Sequence, residues 1–341
     1  MREVISKLFD EEQVIRLFNR KVLPVYPEFK SIKKVRITPI KKQIWKKSYH
    51  VVIKFDAHFV DNEERTRKLA IYCSAHSHEP RRNVHAALKF LWEHGFSRGY
   101  LVVPHPLFYS EHFRAVFYRG VKGDNLHEHI KREEIEEAEK IIAQAAAWLV
   151  KLHGLPVTEA INFNRKNSQV KTVIPGEEQI LNKIGRHYPE YRDLYVSAYE
   201  SIKEEEKKFF SSSRRWLIHG DAHPENVIRV SRNKVAFIDY ADLCLSDYAR
   251  DLGSFMQQLD NMGGAKIGKP ERSERMKEIF WDNYWRLSKT TPDDNIKKRV
   301  EMYYYWTALR TATHFLLKHT PRKERAESLL KEVEDYLQSS N

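Results

Sequence analysis

Trp216-Leu-Ile-His219-Gly220-Asp221-Ala-His223-Pro-Glu-Asn226-Val-Ile-Arg-Val230, continued by Val235-Ala-Phe-Ile238-Asp239-Tyr-Ala-Asp242, reads as three short strands separated by polar turns. The apolar run ending at Ile218 leads into a loop of His, Gly, Asp, Pro and Asn, the residues that accept turn dihedrals and hydrogen-bond nearby backbone. A second strand ends at the turn Ser231-Arg232-Asn233-Lys234, and a third ends in Asp239. Such a unit is a short way to hold several polar side chains: Asp221 and Asn226 share one loop, and Asp239 returns at the end of the hairpin.

Phosphoryl transfer uses groups of this kind. It needs a carboxylate near the attacking hydroxyl, oxygen ligands for magnesium, and cations around the phosphates. Magnesium prefers hard oxygen donors and keeps several waters, so one carboxylate and one amide oxygen suffice from the protein. Asp221 fits the first role, and Asn226 and Asp239 the second. The spacing Asp-x4-Asn, with a metal aspartate after two short strands, is that of the protein-kinase catalytic segment. Turn chemistry alone accounts for Asp, Asn, Gly and Pro in one loop, but it does not call for the downstream Ile-Asp-x-x-Asp.

The wording His-Gly-Asp-x-His-Pro-x-Asn-Val followed by Ile-Asp-x-x-Asp resembles the aminoglycoside phosphotransferase and choline kinase family, which has a protein-kinase-like fold. Asp242-Leu-Cys-Leu-Ser-Asp247-Tyr-Ala-Arg-Asp251-Leu252 continues the likeness, with Ser246 where the family usually has glycine. Val116-Phe-Tyr-Arg-Gly-Val-Lys-Gly123-Asp-Asn-Leu126 is similar to the family's hinge strand, and Ala143 to His153 to its helix ending in Leu-His. The resemblance spans roughly residues 35 to 260. It implies a magnesium-dependent phosphotransferase moving the γ-phosphate of ATP or GTP to a hydroxyl of a small molecule. It makes Asp221 the catalytic base or hydroxyl-orienting residue and Asn226 and Asp239 the metal ligands. Asp251 would brace the loop, His219 and His223 would shape it, and Tyr118 and Val121 would contact the nucleotide at the hinge.

Around this segment the chain divides into two parts. Val35 to Ile40, Tyr49 to Phe59 and Arg67 to Ala75 are strand-like, with a turn at residues 61 to 64. A helix follows from about Asn83 to His94, then strands near Tyr100 to Val103 and Phe113 to Tyr118. From Glu133 onward helices dominate: one to His153, one from about Glu190 to Phe210, and an aromatic-rich remainder, with a loop at residues 263 to 274. The expected fold is α+β and two-lobed, with a small antiparallel-sheet N-lobe carrying one helix and a larger, mostly helical C-lobe. The expected division is 1–118 for nucleotide binding and 119–341 for catalysis and acceptor binding.

The phosphate-binding part departs from the family. Tyr72 stands where the third-strand lysine belongs and Val84 where the helix glutamate belongs, although Glu79 lies a turn earlier. Lys68 shares the alternation face of Tyr72, and Lys54 lies on the neighbouring strand, so either can reach phosphates. The loop Gln43-Ile-Trp-Lys46-Lys47-Ser48-Tyr lacks glycine. Ser48 matches a serine of the family's loop, and Lys46 and Lys47 offset the missing backbone approach by charge; the other reading is an exposed basic turn. Nucleotide contacts are therefore expected from Lys47, Ser48, Lys54, Lys68, Tyr118 and Val121.

The formal net charge is +12, with basic residues crowded between Lys30 and Lys47. Such a field attracts anions without saying which, and nucleic acid stays open as a partner. Two cysteines far apart argue against a disulfide framework and for a reducing cytoplasm. No apolar run is long enough to cross a bilayer, and the N-terminal residues lack a signal-peptide core. His76-Ser-His78 falls short of the four ligands at sensible spacing that a zinc site wants. Of Tyr303-Tyr304-Tyr305-Trp306, at most two can share a helix face, which favours core packing over a pocket lining. The acceptor region is expected at residues 155 to 210 and 260 to 320. Cationic acceptors would favour an acidic or aromatic cleft, and neutral or acidic ones fit the charge equally. Two alternatives remain: a non-catalytic nucleotide- or partner-binding protein, suggested by Tyr72 and Val84, and a kinase acting on a macromolecule, suggested by the basic front part.

Overall fold

Asp10 starts the first substantial helix: its carboxylate accepts from Gln13 N–H at 2.9 Å, and Glu11 and Glu12 favour the positive helix end. The computed structural model describes residues 2–79, 81–156, 162–210, 215–264 and 270–339. Within them the chain forms two units, Met1–Gly123 with Val230–Ala241, and Asp124–Arg229 with Asp242–Asn341. The first unit thus runs to Gly123 and takes in the third strand of the deciding segment, where the sequence suggests one division at 118/119. No described helix is long and apolar enough to cross a membrane.

The first unit comprises α1 (Arg2–Ser6), α2 (Glu11–Lys21), β1 (Phe29–Ile44), β2 (Tyr49–Asp61), β3 (Thr66–His76), α3 (Arg82–Leu91), β4 (Leu101–Val102), β5 (His105–Ser110) and β6 (Ala115–Arg119). Its main sheet is five-stranded and antiparallel in the order β1-β2-β3-β6-β5. The period-2 alternation of β2 decides its faces. Val51, Ile53, Phe55, Ala57 and Phe59 are fully buried in a cluster with Ile5, Leu8, Val14 and Phe18 of the N-terminal helices. Phe18 meets Phe55 edge-on at 5.3 Å. The expected helix is α3. The helices α1 and α2 come in addition; they are short, and their apolar stripe is legible only once the sheet face they cover is known. The basic strand β1 is a sheet edge, where exposed lysines discourage pairing with a second sheet, which gives the charge run a structural reason.

The second unit begins with α4 (Leu126–Lys131), α5 (Ile135–His153), α6 (Glu177–His187) and α7 (Arg192–Phe210), then β7 (Trp216–Ile218) and β8 (Val227–Ser231). The chain then enters the first unit, where β9 (Lys234–Phe237) pairs in parallel with β4. It returns as β10 (Cys244–Ser246), antiparallel to β7 with Cys244 opposite Ile218. The helices α8 (Ala249–Leu259), α9 (Pro270–Ser288), α10 (Asp294–Leu317) and α11 (Lys323–Ser339) complete it.

The helix α6 falls within the stretch 155 to 210 expected for the acceptor, of which residues 157–161 lie outside the described residues. One expectation changes. The loop expected at 263–274 gives way to helix at Pro270, because proline at a first helical position loses no hydrogen bond. Residues 265–269 of that loop also lie outside the described residues.

Candidate active site

In the second unit the loop after β7 is held by a buried carboxylate. Asp251, in the first turn of α8, accepts from His219 N–H at 2.7 Å and Gly220 N–H at 2.9 Å, and its Oδ2 lies 3.1 Å from His153 Nε2. Burial pushes the Asp251 carboxyl up, but His153, His219 and the Gly220 N–H together hold it below its ordinary range. Gly220 has φ of +80°, and a Cβ there would lie 2.3 Å from the carbonyl oxygen of Asp242, so only glycine turns the chain here. Arg250, also buried, donates to the carbonyl of Asn167 and, at 3.0 Å, to Asn167 Oδ1. It reaches the Gly220 carbonyl at 3.4 Å.

The turn presents Asp221 with 48% of its side chain exposed, while Asn226 is buried. Asn226 Nδ2 donates to the Asp221 carbonyl at 2.9 Å and approaches Asp221 Oδ2 at 3.4 Å. That orientation uses the donor end of the amide within the loop and leaves Oδ1 as the end able to meet a cation, a fit for a magnesium ligand. His223 Nε2 lies 3.5 Å from Asp221 Oδ2. Partial desolvation raises the Asp221 carboxyl, but His223, His219 and Arg310 outweigh it and hold the group well below the usual carboxylate range. Asp221 is therefore ionised at any physiological pH.

Asp221 lines a cavity of about 460 Å³ within the second unit. The loop contributes Gly220 to His223 and Glu225, and α10 contributes Trp306, Arg310 and His314 at four-residue steps, with Thr307 and Thr311 between them. The four consecutive aromatic residues of α10, Tyr303 to Trp306, separate as helical geometry demands. Tyr303 hydrogen-bonds Glu206 at 2.9 Å, Tyr304 bonds Asp260, Tyr305 stacks on Tyr336 at 4.3 Å, and Trp306 faces the cavity.

In the first unit, one row across the sheet aligns Lys54, Tyr72 and Tyr118 on a common face. Tyr72 and Tyr118 stack 5.8 Å apart, nearly parallel. Tyr72 also covers Gly120, where a Cβ would come within 2.2 Å of its ring. Lys54 and Lys68 both pair with Asp56 Oδ1, at 3.4 and 3.3 Å. Glu79 approaches Arg81 at 3.5 Å. Lys46 and Lys47 form the exposed tip of the β1–β2 hairpin, closed by Trp45 N–H donating to the Ser48 carbonyl at 2.8 Å. Asp239 has φ of +63°, a left-handed conformation of the kind that collects at functional sites. Burial raises the Tyr118 phenol, and the charge of Asp239 raises it further.

A model described as the phosphotransferase enzyme family matches residues 54–279, about two thirds of the chain, including the whole loop. The chain belongs to the phosphotransferase enzyme family. Among solved structures it is similar to an ethanolamine kinase of Plasmodium vivax, at 14% identity over 90% of this chain and 84% of that one, with a TM-score of 0.59. It is similar to a spectinomycin phosphotransferase in complex with ADP and spectinomycin, at 13% identity over 95% and 94%, with a TM-score of 0.54. An ADP-bound aminoglycoside phosphotransferase aligns at 15% identity over 96% and 97%, with a TM-score of 0.53. At these identities the likeness establishes the fold, which is α+β and protein-kinase-like. No curated protein matches the chain in sequence.

For a phosphotransferase of this family, the loop residues Asp221 and Asn226 come together in the second unit, and Lys54, Lys68, Tyr118 and Asp239 all lie in the first. Val121 follows Gly120, whose N–H donates to the Ala70 carbonyl at 2.9 Å. Lys47 and Ser48 precede the matched segment. Sequence reasoning passed over Asp56, although it sits on the polar alternation of β2 beside Lys54. It also passed over Arg310, because the stripe Trp306, Arg310, His314 lines a cavity here but reads the same as a core-facing one in sequence.

Proposed function

We propose that the chain is a magnesium-dependent small-molecule kinase that moves the γ-phosphoryl group of ATP or GTP to a hydroxyl of its acceptor. One observation carries this reading: a half-exposed, ionised aspartate, Asp221, on a loop fixed by Asp251, facing a cavity large enough for a metabolite. In the reaction the acceptor oxygen forms a bond to the γ-phosphorus, the bond from that phosphorus to the β–γ bridging oxygen breaks, and the nucleoside diphosphate leaves. The acceptor proton passes to an Asp221 carboxylate oxygen. A carboxyl held so far below its ordinary range is a weak base, so Asp221 chiefly orients the hydroxyl and accepts its proton late, which suits a loose transition state.

In this reading Asn226 and Asp239 hold magnesium, which neutralises phosphate charge. The cluster Lys54–Asp56–Lys68 replaces the usual third-strand lysine and helix glutamate, with Lys47 and Ser48 at the hairpin tip over the phosphates and Tyr118 and Val121 at the base. Both cysteines are buried and neither is in a disulfide, in keeping with a reducing cytoplasm.

The test is nucleotide-dependent phosphorylation of a panel of hydroxylated metabolites, with and without magnesium, beside Asp221→Asn. Turnover in the wild type and its loss by about a thousandfold in the variant is the expected result. Equal behaviour of the two proteins refutes the assignment, and nucleotide binding with no turnover on any acceptor favours the non-catalytic alternative.

A further inference from the structure

The cavity beside Asp221 is lined by four arginines, Arg250, Arg310, Arg322 and Arg325, against three carboxylates, Asp221, Glu225 and Asp242. The carboxylates do not balance the arginines pair by pair. Glu225 sits 3.0 Å from His127, and Asp221 sits beside His223. Arg250 is spent on Asn167 and the Gly220 carbonyl. Among the described residues, Arg310, Arg322 and Arg325 have no carboxylate within ion-pair distance.

Neutral groups position these side chains instead. The Arg310 guanidinium lies 5.1 Å from the centre of the Trp306 ring and its Nη1 reaches the Pro175 carbonyl at 3.4 Å. The Arg325 guanidinium lies 4.7 Å from the Phe315 ring, and its Nη2 donates to the carbonyl and Oδ1 of Asn261 at 2.9 and 3.0 Å. Arg322 is exposed at the start of the same wall. Asp221 and Asp242 act on Arg310 only from beyond ion-pair distance, so these oriented guanidinium forks remain open to planar or tetrahedral oxyanions. The same groups repel a protonated amine.

We propose that the acceptor is an anionic hydroxy compound whose carboxylate or phosphate group is held by Arg310, Arg322 and Arg325. The proposal rests on reading the cavity as the acceptor site. Its hydroxyl lies toward Asp221 and its anionic group toward α10 and the start of α11. The neutral imidazole of His314, lowered by burial and by Lys318 and Arg322, adds a hydrogen-bonding group on the same wall without adding charge.

Titration calorimetry on the intact chain saturated with ADP and magnesium tests this, with inorganic phosphate and malonate as the two anionic probes and ethanolamine as the cationic control. At least one anion is expected to bind, and which one binds separates a phosphate from a carboxylate acceptor. Arg322→Gln, a change at an exposed site that leaves folding intact, and Arg310→Gln are each expected to weaken that binding about tenfold, with Arg310→Lys keeping part of it. Binding of neither anion, binding that survives both substitutions, or tighter binding of ethanolamine overturns the proposal. The catalytic reading is judged separately: Asp221→Asn is expected to bind the anion as the wild type does while losing transfer. Retained transfer in that variant sinks the role of Asp221 and leaves the anion result standing.

Discussion

The imidazole of His153 meets the carboxylate of Asp251 at 3.1 Å, with 4% and 1% of their side chains exposed. The other ring nitrogen, Nδ1, lies 2.8 Å from the Tyr284 hydroxyl. A line of polar contacts thus runs from α9 through the end of α5 to α8 and ends on two backbone N–H groups of the loop that carries Asp221. Low dielectric makes such a network strong when complete and costly when one member is lost.

Asp251→Ala removes the acceptor for two N–H groups and leaves both near the protein interior. The expected loss is about 2–5 kcal/mol of unfolding free energy, read as a drop in urea midpoint with the slope unchanged. Asp251→Asn keeps one acceptor oxygen and should lose less. His153→Ala leaves both N–H bonds in place, so its cost should be smaller than that of Asp251→Ala. An unchanged midpoint in Asp251→Ala would show that the loop is held by other contacts.

Gly220→Ala tests the turn itself. The substitution asks alanine to adopt φ of +80° and places a Cβ within 2.3 Å of the Asp242 carbonyl. Strain of about 1–3 kcal/mol is expected from the dihedral alone, and relieving the contact has to move either Asp242 or the residue next to Asp221. Turnover should therefore fall by more than stability does. A variant with wild-type kcat would mean that the loop relaxes without displacing the carboxylate.

The sequence made the loop legible because its constraints are local. Asp221, Gly220 and Asn226 are tied to one another within six residues, and the strands on either side read from apolar runs. The strand-rich front part was also legible, since β2 alternates from His50 to Phe59 with only Val52 out of pattern. The arginine wall of the cavity was not, because Arg310 and Arg325 gain meaning only from what stands beside them, Trp306 and Asn261, and helical periodicity cannot tell a cavity-facing stripe from a core-facing one. Asp56 was missed for a related reason. An acidic residue on the polar face of a strand looks like solvent-exposed surface until two lysines are seen to share it.

Lys54 and Lys68 share one carboxylate, so removing either should change nucleotide binding more than folding. Asp56 is buried, but Lys54 and Lys68 are 34% and 56% exposed and either one alone keeps it paired, so the melting temperature of Lys54→Met should stay within a few degrees of wild type. The nucleotide KM should rise about tenfold, the effect of losing one charge-assisted contact to a phosphate. Asp56→Asn frees both ammonium groups and should leave nucleotide binding intact or tighten it. A Lys54→Met, Lys68→Met double variant with an unaltered nucleotide KM would direct attention to the hairpin tip, Lys46 and Lys47.

Glu206 supplies a pH signature. Its carboxylate is buried, accepts from Val170 N–H at 2.9 Å and from the Tyr303 hydroxyl at 2.9 Å, and ties α7 to α10. Burial raises its pKa to about 6, against the opposing influence of Tyr303, the Val170 N–H and Arg250. The unfolded chain releases this proton near 4.5, so between those two values the folded protein holds more protons than the unfolded one. Stability contributed by this group is greatest below the lower value and declines as pH rises to about 6, by on the order of 2 kcal/mol. Glu206→Gln keeps an acceptor for Val170 and cannot ionise, so the difference in unfolding free energy between wild type and variant should move in the variant's favour across that window and level off above it. A difference that stays constant from pH 4 to pH 8 would show that Glu206 keeps its ordinary pKa despite its burial.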